Sequence, residues 1–246
     1  MSLPVHAVPS LDGAATGSVV EVAGDEAHHA VAVRRLRVGE RVVLTDGAGR
    51  SVTGAVTTTG KRVFTVEVAE VADVPAPEPE LVVVQALPKG DRGELAVEVL
   101  TEVGVARIVP WAAARSVAVW KGERAVKSQA KWAGTAREAA KQSRRSWFPE
   151  VSPLATTADV SALAGAADLA VVLHEDASEP LAAVEVPPHG RIVVVVGPEG
   201  GLTDEEVASF LAAGARSVRL GAEVLRTSTA GVAACAVLLA RTPRWR

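Results

Sequence analysis

A glycine-rich loop near residue 200 is the first place in this sequence where backbone could bind a ligand. The stretch IVVVVGPEGGLTDEE runs five apolar residues into the loop 197–201 and then into a predicted helix beginning at Thr203. Glycine lacks a side chain, so a ligand could reach main-chain N–H and C=O groups there, near the positive end of the helix dipole. A tight turn explains the glycines equally well. The loop matches neither GxGxxG nor GxxxxGK[ST], so neither a standard dinucleotide fold nor a P-loop is indicated.

A second loop places one charged side chain between two apolar elements. In LGAEVLRTSTAGVAACAVLLA, a short strand is expected to end at Leu220-Gly221, and a helix to begin near Ser228 or Thr229, either of which could cap it. Arg226 lies in the loop between them. Its guanidinium is always charged and presents several donors in one plane, which suits developing negative charge; a structural role is the alternative.

Positive charge is segregated along the chain, although the formal net charge is only −3. Residues 115–145 carry nine Lys or Arg against two acidic residues, and a second basic group, RRLR, begins at Arg34. Such clusters attract a polyanion such as RNA, although a solvated helix face is the usual alternative. Trp120, Trp132 and Trp147 punctuate the first cluster and are more typical of a core than of base-stacking platforms.

Composition narrows the class of protein further. The 246 residues are 48% hydrophobic and 22% charged, which is typical of a globular protein with a sizeable core. The single cysteine, Cys235, cannot form an internal disulfide, and with five histidines it shows no metal-ligand spacing. No apolar run is long enough to span a bilayer, and the N-terminus does not resemble a signal peptide. We therefore expect a cytoplasmic protein with no metal and no membrane partner.

The secondary-structure pattern changes between two regions. Residues 1–72 contain short apolar strands separated by Gly and Asp turns, with one helix near DEAHHAVAVRRL, and predict a small β-barrel. The proline-rich stretch 73–80 predicts a stiff linker. From residue 81 to 246, apolar strands alternate with helices, which predicts a mainly parallel sheet covered by helices on both faces. In such sheets ligands bind at the carboxyl ends of strands, where GPEGG lies.

Several separated motifs resemble one family. GPEGGLTDEE followed by LGAEVLRTSTA is similar to the paired C-terminal motifs of the RsmE family, the small-subunit ribosomal RNA methyltransferases that methylate uridine at ring N3 within the knotted SPOUT superfamily. KGDRGELAVEVLTEVGVARIVPW, AREAAKQSRRSWFP and HHAVAVRRLRVGE resemble further family motifs in the same order. The resemblance spans nearly the whole chain.

The resemblance implies a fold and a reaction. The N-terminal domain would be a PUA-like RNA-binding barrel, and the C-terminal domain an α/β sheet with a trefoil knot, working as a homodimer. The substrate would be 16S ribosomal RNA in the decoding region of the small subunit. S-adenosylmethionine (SAM) would be bound by Leu173, His174, Gly197, Pro198, Glu199, Gly200, Gly201, Leu220, Gly221, Leu225, Arg226 and Thr227.

The sequence also suggests catalytic and RNA-binding residues. The N3 proton of uridine must leave before methylation, so we expect Arg226 or Arg145 to stabilise the resulting anion. No general base is evident. The expected RNA-binding residues are His28, His29, Arg34, Arg35, Arg37, Lys89, Arg115, Lys127, Lys131, Gln142, Arg144 and Arg145.

One departure and three alternatives stay open from sequence alone. Where many family members have glutamate after the Leu-Arg-Thr motif, this chain has Ser228, which we expect to be mainly structural. The alternatives are a non-enzymatic RNA-binding protein, an oxidoreductase or other nucleotide enzyme that uses GPEGG as a phosphate cradle, and a methyltransferase with another target, such as a ribose 2′-hydroxyl or another base.

Overall fold

The computed structural model describes residues 3–245, which divide into two compact units. The first unit extends to Ala76 and also contains Lys141–Phe148; the second contains Pro77–Ala140 and the chain from Pro149 onward. From the sequence alone, residues 141–148 are expected in the second domain. They group with the first because their contacts reach residues such as Glu26, which lies 3.0 Å from the Lys141 ammonium.

The first unit is built on one mixed sheet of five strands. Its strand order is β1-β3-β4-β5-β2, with β1 parallel to β3 and the other pairs antiparallel. A five-residue π-helical turn, His29–Val33, follows the α-helix Gly24–His28, so the predicted helix is present but changes its winding at His29. The elements are β1 (Val5–Ala7), β2 (Val19–Ala23), α1 (Gly24–His28), β3 (Arg41–Thr45), β4 (Arg50–Thr59) and β5 (Val63–Asp73).

Alternating apolar residues give this unit a core of its own. Phe64, Val66 and Val68 of β5 are buried on one face of the sheet. The Asp46-Gly47 dipeptide begins the four-residue connection 46–49 of the predicted β3–β4 hairpin, and Gly47 has a left-handed φ of 71°.

The second unit contains an entirely parallel six-stranded sheet with the order β11-β9-β10-β6-β7-β8. The predicted parallel sheet is confirmed. The strands are β6 (Glu80–Ala86), β7 (Arg107–Trp111), β8 (Glu150–Val151), β9 (Leu169–Leu173), β10 (Arg191–Val196) and β11 (Arg216–Val218). The helices are α2 (Arg92–Val103), α3 (Glu123–Gln142), α4 (Thr157–Gly165), α5 (Asp204–Ala212) and α6 (Thr227–Leu239), with 3₁₀ turns at Leu181–Ala183 and Pro243–Trp245.

This sheet is buried on both faces. Along β10, Ile192 and Val194 belong to one core cluster and Val193 and Val195 to the other, as the two-residue period of a strand requires. Helices α2 and α6 supply residues to the first cluster, and α4 and α5 to the second.

Helix boundaries follow the local signals with one exception. Thr203 and Glu206 form the predicted capping box of α5, and Gly104 ends α2 in a left-handed conformation. The prediction that Ser228 or Thr229 caps α6 was wrong. The helix begins at Thr227, its N-cap residue is Arg226, and no side chain caps it.

Candidate functional site

The candidate site is a cavity of about 600 Å³ in the second unit, at the carboxyl edge of the parallel sheet. The loops that follow β9, β10 and β11 form its walls, together with the first turn of α6. Parallel strands bring their carboxyl ends to the same edge, which is why residues far apart in sequence meet here. All twelve residues expected to bind SAM line the cavity: Leu173, His174, Gly197, Pro198, Glu199, Gly200, Gly201, Leu220, Gly221, Leu225, Arg226 and Thr227.

Packing and backbone conformation within the protein explain why the loop after β10 contains glycines. A Cβ atom at Gly197 would lie 3.1 Å from the Leu202 side chain, and one at Gly200 would lie 3.0 Å from Cβ of Arg115. Gly201 has a left-handed φ of 72°. Close packing and backbone conformation therefore account for these glycines, and their presence alone does not identify a ligand.

Arg115 holds this glycine loop in place. Its Nη1 donates to the carbonyl oxygens of Gly200 at 3.2 Å and Leu202 at 3.0 Å. The next residue back along the chain is also fixed, because the Ala114 N–H donates to Glu206 at 2.8 Å. From the sequence, Arg115 was expected only to bind RNA. Its hydrogen bonds reach a loop 85 residues away, and a contact over that separation leaves no local pattern in the sequence.

A buried polar chain ties three elements together beneath the cavity. Thr227 Oγ1 donates to the Gly197 carbonyl at 2.7 Å and accepts a hydrogen bond from Gln85 Nε2 at 3.1 Å. Gln85 is fully buried at the end of β6. The chain joins β6, the glycine loop and the start of α6, so it fixes the two cavity-forming loops relative to each other. Gln85 was missed because a single glutamine in an apolar strand carries no motif.

Glu199 links the same loop to the connection between β6 and α2. Its Oε1 accepts hydrogen bonds from the Lys89 main-chain N–H at 3.2 Å and from Arg92 Nη1 at 3.3 Å. Lys89 itself is exposed. The carboxylate of Glu199 is thus used in holding a loop, in addition to lining the cavity.

The third wall of the cavity, the loop before α6, is open to solvent. Val224 is 76% exposed, and Arg226 is exposed at the helix start, where its carbonyl accepts the N–H groups of Thr229 and Ala230 at 2.9 Å. Arg226 lines the cavity, and within residues 3–245 its guanidinium makes no hydrogen bond or ion pair. Ser228 is buried, consistent with the structural role expected for it.

Charges of both signs surround the cavity. On the wall after β9, His174 Nδ1 accepts the N–H of Asp176 at 3.3 Å. The site therefore suits a ligand that has both cationic and anionic groups. The charged lining residues are Arg92, Arg115, Arg219 and Arg226, and Glu175, Asp176, Glu199, Asp204 and Glu223.

The expected RNA-binding residues divide between the two units. The first unit contains His28, His29, Arg34, Arg35, Arg37, Gln142, Arg144 and Arg145. The second contains Lys89, Arg115, Lys127 and Lys131. Lys131 forms a 2.6 Å ion pair with Glu94, and that hydrogen bond raises the pKa of the lysine. Lys127 is exposed on α3.

The two candidate catalytic arginines are not brought together within one unit. Arg226 lines the cavity of the second unit, whereas Arg145 lines a separate cavity of about 430 Å³ in the first.

The three tryptophans of the basic segment differ in their surroundings. Trp132 is buried and packs edge-to-face on Trp120, with ring centroids 4.9 Å apart, whereas Trp147 belongs to the first unit.

Other reactive groups are accounted for. Cys235 is buried in α6, and its desolvation raises the pKa of the thiol to about 12, which keeps it protonated and unreactive. Residues 3–245 contain no group of His, Cys, Asp or Glu side chains arranged to hold a metal ion. Over the same range, no helix combines the length and apolar character needed to cross a membrane.

Comparisons with known proteins identify the family. A family model described as an RNA methyltransferase domain matches residues 75–239, and one described as an RNA methyltransferase PUA domain matches residues 22–69. The chain is 43% identical over 236 residues to ribosomal RNA small subunit methyltransferase E of Mycobacterium tuberculosis, covering 94% of this chain and 89% of the relative. It is 29% identical over 229 residues to the protein of that name from Bacillus subtilis, covering 90% of each.

Solved structures have the same fold over nearly the full chain. The Lpg2936 protein of Legionella pneumophila, in complex with SAM, superposes with a TM-score of 0.90 at 27% identity, covering 98% of this chain and 99% of that one. Ribosomal RNA small subunit methyltransferase E of Neisseria gonorrhoeae, bound to SAM, gives a TM-score of 0.87 at 27% identity and 98% coverage of both chains. The resemblance found in the sequence is confirmed: this chain belongs to the RNA methyltransferase family of ribosomal RNA small subunit methyltransferase E, with its PUA domain.

Proposed function

We propose that the protein transfers the methyl group of SAM to ring N3 of a uridine in 16S ribosomal RNA, in the decoding region of the small subunit. The observation that carries this proposal is the meeting of two separated motifs, GPEGG and LGAEVLRT, in one cavity at the carboxyl edge of the sheet. Two similar proteins are known in complex with SAM, and the relatives that share the full chain are named for small-subunit ribosomal RNA.

The cavity fits SAM in size and chemistry. Its volume of about 600 Å³ lies inside the range of roughly 300–1,000 Å³ typical of small-molecule sites. SAM carries a sulfonium cation, an ammonium, a carboxylate and an adenine ring, and it supplies an electrophilic methyl group when bound. Carboxylates such as Glu223 suit the cationic groups, whereas Arg219 and the loop N–H groups suit the carboxylate and the ring.

We assign to Arg226 the role of stabilising the uracil ring as the ring loses its N3 proton. The uracil ring becomes anionic as its N3 proton leaves, and the charge spreads to O2 and O4. A guanidinium that lines the cavity and has no bond to another described residue is available to bind those oxygens. The stabilisation is greatest for the anion, so Arg226 lowers the barrier more than it increases ground-state binding. The target base must be unstacked to enter, because N3 is hidden in a base pair.

Two further features belong to this proposal. The first is a trefoil knot around the cavity, supported by the way that α6 returns from the β11 edge to pack on central strands: a Cβ at Gly231 of α6 would lie 3.4 Å from Val196 of β10. The second is a cytoplasmic homodimer. Light scattering should then give twice the chain mass of 25.3 kDa, and a monomer with full activity would contradict it.

The test is methyl transfer from deuterium-labelled SAM to small ribosomal subunits, followed by nucleoside mass spectrometry. We expect labelled 3-methyluridine from the wild type. Arg226→Ala should lower the transfer rate by at least about 100-fold, while its affinity for SAM changes far less.

Arg145→Ala serves as the paired comparison, because the structure places it in another cavity. Equal turnover by wild type and Arg226→Ala would remove the assigned role. Label found on a ribose 2′-oxygen or another base would favour the remaining alternative, a methyltransferase with a different target.

A further inference from the structure

We propose that Arg144 and Arg145 form a binding site for the phosphodiester backbone of the RNA substrate, on a turn that the N-terminal unit holds in place. The inference rests on the proposed function and assigns part of its substrate recognition to a specific cavity. We call residues 143–146 the arginine turn. It follows α3 directly, and its residue Arg144 has a left-handed φ of 56°, which is uncommon for a residue with a side chain.

An ion pair anchors the turn at its beginning. Lys141, in the last turn of α3, donates to both oxygens of Glu26 in α1, at 3.2 and 3.0 Å. His6 of β1 contacts the same carboxylate at 3.1 Å, and all three side chains are at most 14% exposed. A buried pair with this many contacts loses a great deal if one partner is removed, so it fixes the end of α3 firmly.

A strand-like contact anchors the turn at its other end. Trp147 forms an antiparallel bridge with Ala48, and its indole Nε1 donates to the Val74 carbonyl at 2.8 Å. Gly47 and Gly49 permit this approach, because a Cβ atom at either position would lie within 2.8 Å of the Phe148 or Trp147 ring. The β3–β4 turn is therefore glycine-rich for two reasons: its own conformation and the segment that lies against it.

The clamped turn presents its charge at a cavity. Arg144, Arg145 and Ser146 line this space of about 430 Å³ together with Ser51 of β4. Among the described residues that line it there are two arginines and no acidic residue, in contrast to the cavity of the second unit. Two arginines beside hydroxyl groups supply the positive charge and the hydrogen-bond donors that phosphate oxygens accept.

The surroundings in the sequence favour RNA as the source of that phosphate. The anchor Glu26 is two residues from His28, and the RRLR group follows the same helix, so a run of exposed basic residues starts beside the turn's attachment point. A polyanion can contact all of these groups, whereas a free phosphate ion can contact only a few. Because the turn is anchored at both ends, less backbone has to be ordered when RNA binds.

The test is the salt dependence of RNA affinity. Fluorescence anisotropy with a labelled fragment of 16S ribosomal RNA, at KCl from 50 to 400 mM as a chosen range, should give a log–log slope that falls by about 1–2 for Arg144→Gln/Arg145→Gln, since each lost phosphate contact removes roughly 0.7–0.9 from the slope. A matched control, Lys61→Gln/Arg62→Gln, removes the same charge from the β4–β5 turn of the same unit and should leave the slope within about 0.5 of wild type.

Three further arms keep the outcome decisive. Arg144→Lys/Arg145→Lys should retain most of the slope, because charge is kept. Glu26→Gln should weaken RNA binding while SAM affinity is unchanged, because only the anchor is altered. An unchanged slope in the Gln double variant, with its thermal melting intact, would overturn the proposal. Binding of millimolar inorganic phosphate at the two arginines, with no binding of RNA there, would overturn it as well.

The result is separable from the proposed reaction. If the wild type binds RNA with the expected slope but transfers no methyl group, the methyltransferase proposal fails and the phosphate site stands. If methyl transfer persists and the slope of the Gln double variant equals that of the wild type, only the phosphate site fails.

Discussion

Thr227 Oγ1 donates a 2.7 Å hydrogen bond to the carbonyl oxygen of Gly197, so the first residue of α6 is bound directly to the loop that follows β10. Gln85 Nε2 completes the link from β6 at 3.1 Å. One buried hydroxyl thus sets the spacing of the two loops that form the cavity. The N-cap position of α6 is occupied by Arg226, whose side chain has no acceptor, so the helix begins without a side-chain cap.

Thr227→Val tests this relationship because it keeps the shape and removes the hydroxyl. The Gln85 amide and the Gly197 carbonyl would each lose a buried partner, which costs roughly 1–3 kcal/mol. We expect a lower melting temperature and SAM affinity weakened by about tenfold, measured by calorimetry. The control is Thr229→Val, whose hydroxyl only bonds the exposed Arg226 carbonyl at 3.3 Å. Equal SAM affinity in the two variants would contradict the role of Thr227.

Arg115→Met separates the clamp from RNA binding. The variant loses both hydrogen bonds to the glycine loop, so SAM affinity should fall by roughly 10- to 150-fold, in line with about 1.5–3 kcal/mol for hydrogen bonds from a charged donor. Lys127→Met removes an exposed charge from α3 of the same unit. It should reduce the salt slope of RNA binding and leave SAM affinity unchanged; the opposite pattern in the two variants would restore Arg115 to an RNA-binding role.

Gly200→Ala tests whether the glycine loop is packed against Arg115. The added Cβ would lie 3.0 Å from Arg115 Cβ and 3.2 Å from its carbonyl oxygen, neither of which can move without the backbone. Overpacking of this kind costs about 1–3 kcal/mol of stability. Gly134→Ala is the matched change in an open position on α3, where nothing lies within 4 Å. It should raise stability by about 0.5–1 kcal/mol, and a loss there equal to that of Gly200→Ala would refute the packing argument.

Glu26 should make the stability of the N-terminal unit depend on acid pH. Burial alone would raise the pKa of its carboxyl, but the hydrogen bonds from His6 and Lys141 outweigh burial and lower the pKa from 4.5 to about 2. Because the folded pKa lies below the unfolded one, the stabilisation is complete above about pH 4.5 and is lost as pH falls towards 2. Its size is on the order of 3 kcal/mol.

Denaturant unfolding of the wild type and Glu26→Gln at several pH values measures this effect. The difference in free energy of unfolding should be large at pH 6 and shrink steadily below pH 4.5. Glu21→Gln, at an exposed position on β2, provides the control and should show no such trend. A difference independent of pH would mean that the Glu26 charge does not stabilise the fold.

Local signals in the sequence were sufficient for the framework. Runs such as IVVVV predict strands buried on both faces, and the Thr203–Glu206 capping box and Gly104 set helix ends that depend only on neighbouring residues. The convergence of the two loop motifs on one cavity also follows, because parallel strands place their carboxyl ends on one edge.

Long-range contacts were beyond such signals. The Glu26–Lys141 pair joins residues 115 positions apart and moves the segment 141–148 into the first unit. Arg115 and Gln85 act through partners 85 and 142 positions away, respectively. Each is a single polar residue without a pattern around it, so only the folded chain reveals what it touches.

The most direct test of the account is a crystal structure of the protein grown with SAM. We predict density for the methyl donor between the glycine loop 197–201 and the loop 220–227, bound largely by main-chain groups, with the Arg226 guanidinium beside the open side of the site. Density for SAM elsewhere, with these loops closed upon each other, would contradict the central claim.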